Sequence, residues 1–113
     1  MIPPRTILAP VDFSDASRAS LQCAATLAPR WSASLHVVHV LDPLLAAASQ
    51  FHHVDLAADA RADLEGFCRE SRLDGAAPAL HIGVGAAAEV ICETAVAQGG
   101  DLVVARSRGL SGP

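Results

Sequence analysis

Two junctions between an apolar run and a polar loop hold the residues best suited to chemistry. The first is APVDFS, where Pro10 and Asp12 close a hydrophobic stretch and Ser14 follows. The second is DLVVARSRGLSGP, where Ala105, Arg106 and Gly109 follow another. A loop rich in Gly, Ser and Arg after a buried strand can turn backbone N–H groups, hydroxyls and guanidinium groups towards an anion, as phosphate-binding turns do. A carboxylate between a strand end and a helix N-terminus can hydrogen-bond a sugar or a base; it can equally well cap the helix. The eight basic residues are all Arg, and the chain has neither Lys nor Tyr. That excludes a P-loop lysine, a kinase-type phosphate lysine and Schiff-base chemistry. Any phosphate must be met by backbone N–H groups, hydroxyls or Arg.

Other constellations carry less. GLSGP comes close to the G-x-S-x-G nucleophile elbow, but Gly112 follows Ser111 directly and neither an acid nor a histidine comes after it. A hydrolase is therefore rejected. HHVD at 52–55 offers half a metal site without a partner cluster, and adjacent loop histidines more often face solvent. His36 and His39 are three apart in an extended stretch, so they fall on opposite faces and cannot share one ligand. His39 is expected to be a hydrogen-bonded strand-end residue. Cys23, Cys68 and Cys92 are odd in number, widely spaced and never in C-x-x-C. They read as small buried hydrophobes rather than redox or metal ligands, and as free thiols they suit a reducing cytosol.

These junctions need elements to hold them. Residues 7–11 form a continuous apolar run, the mark of a strand buried on both faces. After Ser14 as N-cap and Asp15 in the first turn, Leu21, Ala24, Ala25 and Ala28 recur at helical spacing until Pro29 and Trp31. Residues 35–42 read as a second strand. The segment PLLAAASQFHHV is the least regular and is expected to be an excursion outside the sheet. A second helix is predicted over 55–72, with Ala57, Ala60, Leu64, Phe67 and Cys68 on one face. A short strand at 79–82 follows, then a GVG turn. A third helix places Glu89 and Glu93 outward and Ile91 and Ala95 inward, and Gly99 and Gly100 stop it. A fourth strand spans 102–105. This β-α-β-α-β-α-β order predicts a three-layer α/β/α, Rossmann-like fold with an open parallel sheet and right-handed crossovers. In such a sheet a ligand sits beyond the carboxyl ends of the strands, where the winding direction reverses.

Composition sets outer bounds. The 113 residues suffice for one domain, 1–113, with its own core. With 51% hydrophobic and 18% charged residues the chain does not read as disordered. A net charge of −4 with scattered arginines argues against nucleic acid. The apolar runs are too short for a membrane span, and no basic segment introduces one; a soluble cytoplasmic protein is expected.

In its residues the chain resembles the universal stress protein family. ILAPVDFSDASRASLQCAATLA is similar to that family's opening strand and helix, SLHVVHVLD to its second strand, GVGAAAEVICETAVAQGGDLVV to its third helix and following strand, and SRGLSG to the start of its nucleotide loop. The resemblance covers nearly the whole chain. It implies an adenine nucleotide alpha hydrolase-like fold with strand order 3-2-1-4-5, often dimerised along the fifth strand. Some members bind ATP through G-x2-G-x9-G-[ST] after the fourth strand, and others lack the motif and do not. Carried over by position, Pro10, Asp12 and Val40 would face the adenosine, and Ala105, Arg106 and Gly109 the ribose and phosphates. Arg106 stands where the motif's first glycine falls, and Gly109 is its second. The closing glycine and hydroxyl, the last helix and the fifth strand would lie beyond Pro113, so the sequence is expected to be a piece of a longer protein. The resemblance thus implies a stress-response domain with ATP or AMP as a regulatory ligand between the first and fourth strands. It would be a homodimer when complete, with at most slow, incidental ATP hydrolysis. The alternative is a nucleotide-independent dimerisation or interaction module of the same fold.

Overall fold

The computed structural model of the chain describes residues 4–52, 54–73 and 75–105. Its centre is the strand β1, Thr6–Pro10, in which Ile7, Leu8 and Ala9 are all buried. A strand covered on both faces has no polar side, which is why this run does not alternate. β2 (Ser34–Leu41) lies along one edge of β1 and β4 (Leu102–Val103) along the other; β3 (Ala79–Val84) pairs outside β2. All pairings are parallel and the order is β3-β2-β1-β4. Ile7 faces Leu35 and Leu102 in register, and Val38 faces His81.

Parallel neighbours need crossovers, and helices supply them. α1 (Asp15–Arg30) starts where Ser14 accepts the amide of Ser17, with Asp15 in its first turn and Arg30 in its last. Both charges complement the helix dipole. Leu21, Ala24, Ala25 and Ala28 are buried. Three alanines in that stripe let the helix lie close to Ile7, Ala9, Leu35 and Val37, and these residues share one core cluster. α3 (Leu56–Glu70) covers the same face of the sheet through Ala60, Leu64 and Phe67. The opposite face belongs to α4 (Ala87–Gln98), which packs Val90 on Leu8 and Val38. Its approach depends on Gly83, where a Cβ would lie 2.4 Å from a Val90 methyl. Gly99 ends α4 in the left-handed conformation, φ 66°, which glycine adopts without strain.

The structure corrects three expectations. Residues 43–51 form a helix, α2 (Pro43–Phe51), although it does lie outside the sheet. Asp42 caps it by accepting the Leu44 amide and Pro43 occupies the first turn, a strong start signal. No residue of α2 is buried, so no apolar stripe marks it. The cysteines are not buried: Cys23 and Cys92 are exposed and Cys68 is half-buried. Cys23 adjoins the Leu21–Ala24–Ala28 stripe of α1 without belonging to it, and Cys92 lies off the Val90 face of α4. Ala57 is likewise exposed, because the buried face of α3 begins at Ala60. Smaller differences concern strand ends: β3 runs on to Val84, and β4 pairs only at Leu102 and Val103. No helix among the described residues is long and apolar enough to cross a membrane.

Candidate binding site at the strand ends

β1 is flanked by β2 on one side and β4 on the other, so the winding direction reverses between β1 and β4. Beyond the carboxyl ends of the strands there, a cleft of about 240 Å³ opens. Pro10 and Asp12 leave β1 into it, Val38 and Val40 line it from β2, Ala87 and Ile91 from α4, and Ala105 from the segment after β4. Four predicted site residues, Pro10, Asp12, Val40 and Ala105, thus converge on one cavity. The other two, Arg106 and Gly109, lie outside the described residues.

The loop after β1 is tightly organised. Asp12 Oδ1 accepts the Ser14 amide at 3.0 Å and also the Ser14 hydroxyl. The Asp12 amide donates to Ser17 Oγ at 3.3 Å, and the Ser17 hydroxyl donates to the Ser14 carbonyl at 3.0 Å. Such an Asx turn fixes the chain just ahead of the helix and holds the Asp12 backbone at the cleft. Asp12 thus organises the loop and lines the cleft at once. Phe13 adopts φ 66°, an unusual conformation for a bulky residue. Its ring packs 4.4 Å from His39 and 5.5 Å from Phe67, and Arg18 lies 4.3 Å above the Phe67 ring. Contacts of this kind contribute roughly 0.5–1.5 kcal/mol each, enough together to offset about 1–3 kcal/mol of backbone strain.

His39 braces the same loop. Its Nδ1 lies 2.7 Å from the Val11 carbonyl, which can only accept, so Nδ1 carries the hydrogen. His39 is the hydrogen-bonded strand-end residue expected from the sequence. It also lines the cleft, which sequence reasoning did not anticipate, and the same holds for Ser17 and Ala87. Ile91 had been placed inward by periodicity, but its neighbourhood with Asp12 depends on how α4 crosses the sheet. His36 and His39 point to opposite faces, as expected: His39 reaches Val11, whereas His36 reaches His81 on β3. His52 is exposed after α2, and His53 lies outside the described residues. No group of three or more His, Cys, Asp or Glu side chains that could hold a metal ion occurs among the described residues.

A site at this position in this sheet order can be set beside known proteins. Residues 4–113 match the model of the universal stress protein family. The chain belongs to the universal stress protein family. Solved structures agree on the fold. A universal stress protein in complex with cAMP is 24% identical, with a TM-score of 0.75, over 96% of this chain and 77% of that one. The universal stress protein UspA from Lactobacillus plantarum is also 24% identical, with a TM-score of 0.71, over 94% of this chain and 81% of its own. A universal stress protein family member from Burkholderia pseudomallei gives 24% identity and a TM-score of 0.69, over 91% and 81% respectively. Comparison with curated protein sequences gives no match. At this identity the likeness to solved structures establishes the family's open α/β/α architecture here; what the cleft binds is a separate question.

Proposed function

We propose that this universal stress protein family member binds an adenine nucleotide, ATP or AMP, as a regulatory ligand in the cleft between the ends of β1, β2 and β4. The observation that carries the reading is the convergence of Pro10, Asp12, Val40 and Ala105 on one cavity at the reversal point of the sheet. The chemistry of the lining suits such a ligand. Pro10, Val38, Val40 and Ile91 offer an apolar wall to a flat base, and the Asp12 carboxylate stands where it can accept from a ribose hydroxyl or the base. Ala105 leads to the arginines and glycines that would approach the phosphates. α4 begins at the cleft with Ala87, and its N-cap Ala86 makes no side-chain hydrogen bond to its first N–H groups, which lie at that end. That one structural neighbour is described in complex with cAMP adds support from outside the chain.

The role read here is binding rather than catalysis, in a soluble cytoplasmic protein that serves the stress response as a homodimer. With no Lys in the chain, the cleft is equipped to hold a nucleotide more than to cleave one. A second reading rests on Arg106. An arginine where a phosphate loop uses glycine restricts backbone approach, and this favours a nucleotide-independent dimerisation module of the same fold. Backbone amide NMR separates the two readings. Titration with ATP is expected to shift the Asp12, Val40 and Ala105 amides together, with those of α2 unmoved. Spectra unchanged at millimolar ATP would leave only the interaction module.

A further inference from the structure

On the face of the sheet that carries α4, two imidazoles meet across the β2–β3 seam. His36 Nδ1 lies 2.9 Å from His81 Nε2, and the rings are 5.1 Å apart, inclined by 17°. In register, His36 pairs with Ala79 and His81 with Val38, so the two histidines are diagonal neighbours on one face. Both are half-buried. The outer nitrogen of His36 lies 3.4 Å from Ser34 Oγ, which in turn is 3.4 Å from Thr6 Oγ1 on β1.

A nitrogen–nitrogen contact this short needs one hydrogen between the two atoms, and only one. Two neutral rings satisfy it, one donating and one accepting. One imidazolium with one neutral ring satisfies it better, because the bond becomes charge-assisted. Two imidazolium rings cannot satisfy it, since two N–H groups and two like charges would then face each other. We propose that His36 and His81 form a proton-gated seam between β2 and β3, closed while the pair carries at most one extra proton and forced open by the second. Both strands lead to the cleft. β2 supplies Val38 and Val40 to it, and β3 runs into α4, which supplies Ala87 and Ile91. Acidification therefore loosens two walls of the cleft relative to each other, whatever the cleft binds.

The surroundings act in the same direction. Burial is the main cause that lowers the His81 pKa below the ordinary imidazole value; the charge of His36 and then that of Arg61 add to it. Arg61, on α3, donates from Nη1 to the Leu80 carbonyl at 3.3 Å. α3 also carries Asp59, Asp63 and Glu65, and α4 carries Glu89, Cys92 and Glu93, all exposed. β1 contributes the Thr6 hydroxyl and, just before it, the exposed Arg5. A base with a lowered folded-state pKa leaves the unfolded chain binding more protons between the two values. The stability in question is thus present above the ordinary value of 6.5 and is lost as pH falls from there through the folded value.

The test is a histidine ring NMR titration from about pH 8 to pH 5. It is combined with thermal unfolding of the wild type, His81→Gln and His36→Gln over the same range. The pair is expected to take up its two protons in separate steps, with the His81 ring titrating below the ordinary imidazole value. The wild-type Tm is expected to fall with acid more steeply than that of either variant, by roughly 5 °C for each pKa unit of depression. The remaining histidines are common to all three proteins and cancel in the difference. A single ordinary titration of both rings, or variants as acid-sensitive as the wild type, would overturn the proposal. If neither variant folds, the wild-type ring titration decides alone. No ligand enters the test, so its outcome is independent of the nucleotide reading.

Discussion

Asp12 Oδ1 holds the Ser14 amide while the residue itself lines the cleft, so deleting its side chain would disturb both the loop and any ligand. Asn keeps the acceptor and the Asx turn but removes the charge, which makes Asp12→Asn the cleaner probe. At the same scale the thiols differ in a way that chemistry can read. Cys23 and Cys92 are exposed, whereas Cys68 is half-buried and burial raises its pKa. Only the thiolate reacts, so Cys68 should be alkylated last. Iodoacetamide labelling followed by peptide mass analysis at neutral pH should find Cys23 and Cys92 modified well before Cys68; a first modification at Cys68 would contradict the packing of α3. This distinction was not legible in the sequence, where all three cysteines fall within helical stretches that also carry apolar residues. Neighbours along the chain do not say which side of a helix a small residue occupies when half the positions are apolar. The place of Asp12 in the loop between β1 and α1, by contrast, was legible, because it lies between a strand run and a helix start.

Among the elements, α2 and α3 make an instructive pair. Both contain Leu, Ala and Phe, but Leu64 of α3 is fully buried whereas Leu44 of α2 is 80% exposed. Leu64→Ala should destabilise by about 2–5 kcal/mol, the range for a core leucine. Leu44→Gln should stay within roughly 0.5 kcal/mol, as at a surface site without special contacts. Chemical denaturation of the two variants checks this; an equal loss in both would mean that α2 is packed more firmly than its exposure indicates. The strands and α1, α3 and α4 were legible because burial imposes a period: continuous for strands covered on two faces, and 3.6 for helices covered on one. α2 lacks a buried face and therefore lacks a period. Its start signals, Asp42 and Pro43, stand in the sequence, but no stripe of buried positions follows them. Gly83 shows a different limit. The turn-like GVG stretch hid a glycine whose function is to let Val90 approach β3, a contact that only the crossing of α4 over the sheet reveals.

At the scale of the molecule, the order β3-β2-β1-β4 turns two sequence-distant loops into one site. Nothing local to APVDFS or to LVVA brings them together; parallel pairing of β1 with β4 does. Alternating strands and helices made a parallel sheet with right-handed crossovers legible, whereas the order of its strands was implied only by the family resemblance. The lining supplied by His39, Ser17 and Ala87 was not, because it depends on the height at which each element ends. The central claim is that this cleft takes an adenine nucleotide through the Asp12 side, and calorimetric titration of the protein with ATP tests it most directly. The account predicts saturable heat with the wild type and binding weakened about tenfold by Asp12→Asn at unchanged Tm, the scale of one charge-assisted hydrogen bond. No heat at millimolar ATP, or equal affinity in the wild type and Asp12→Asn, would contradict it.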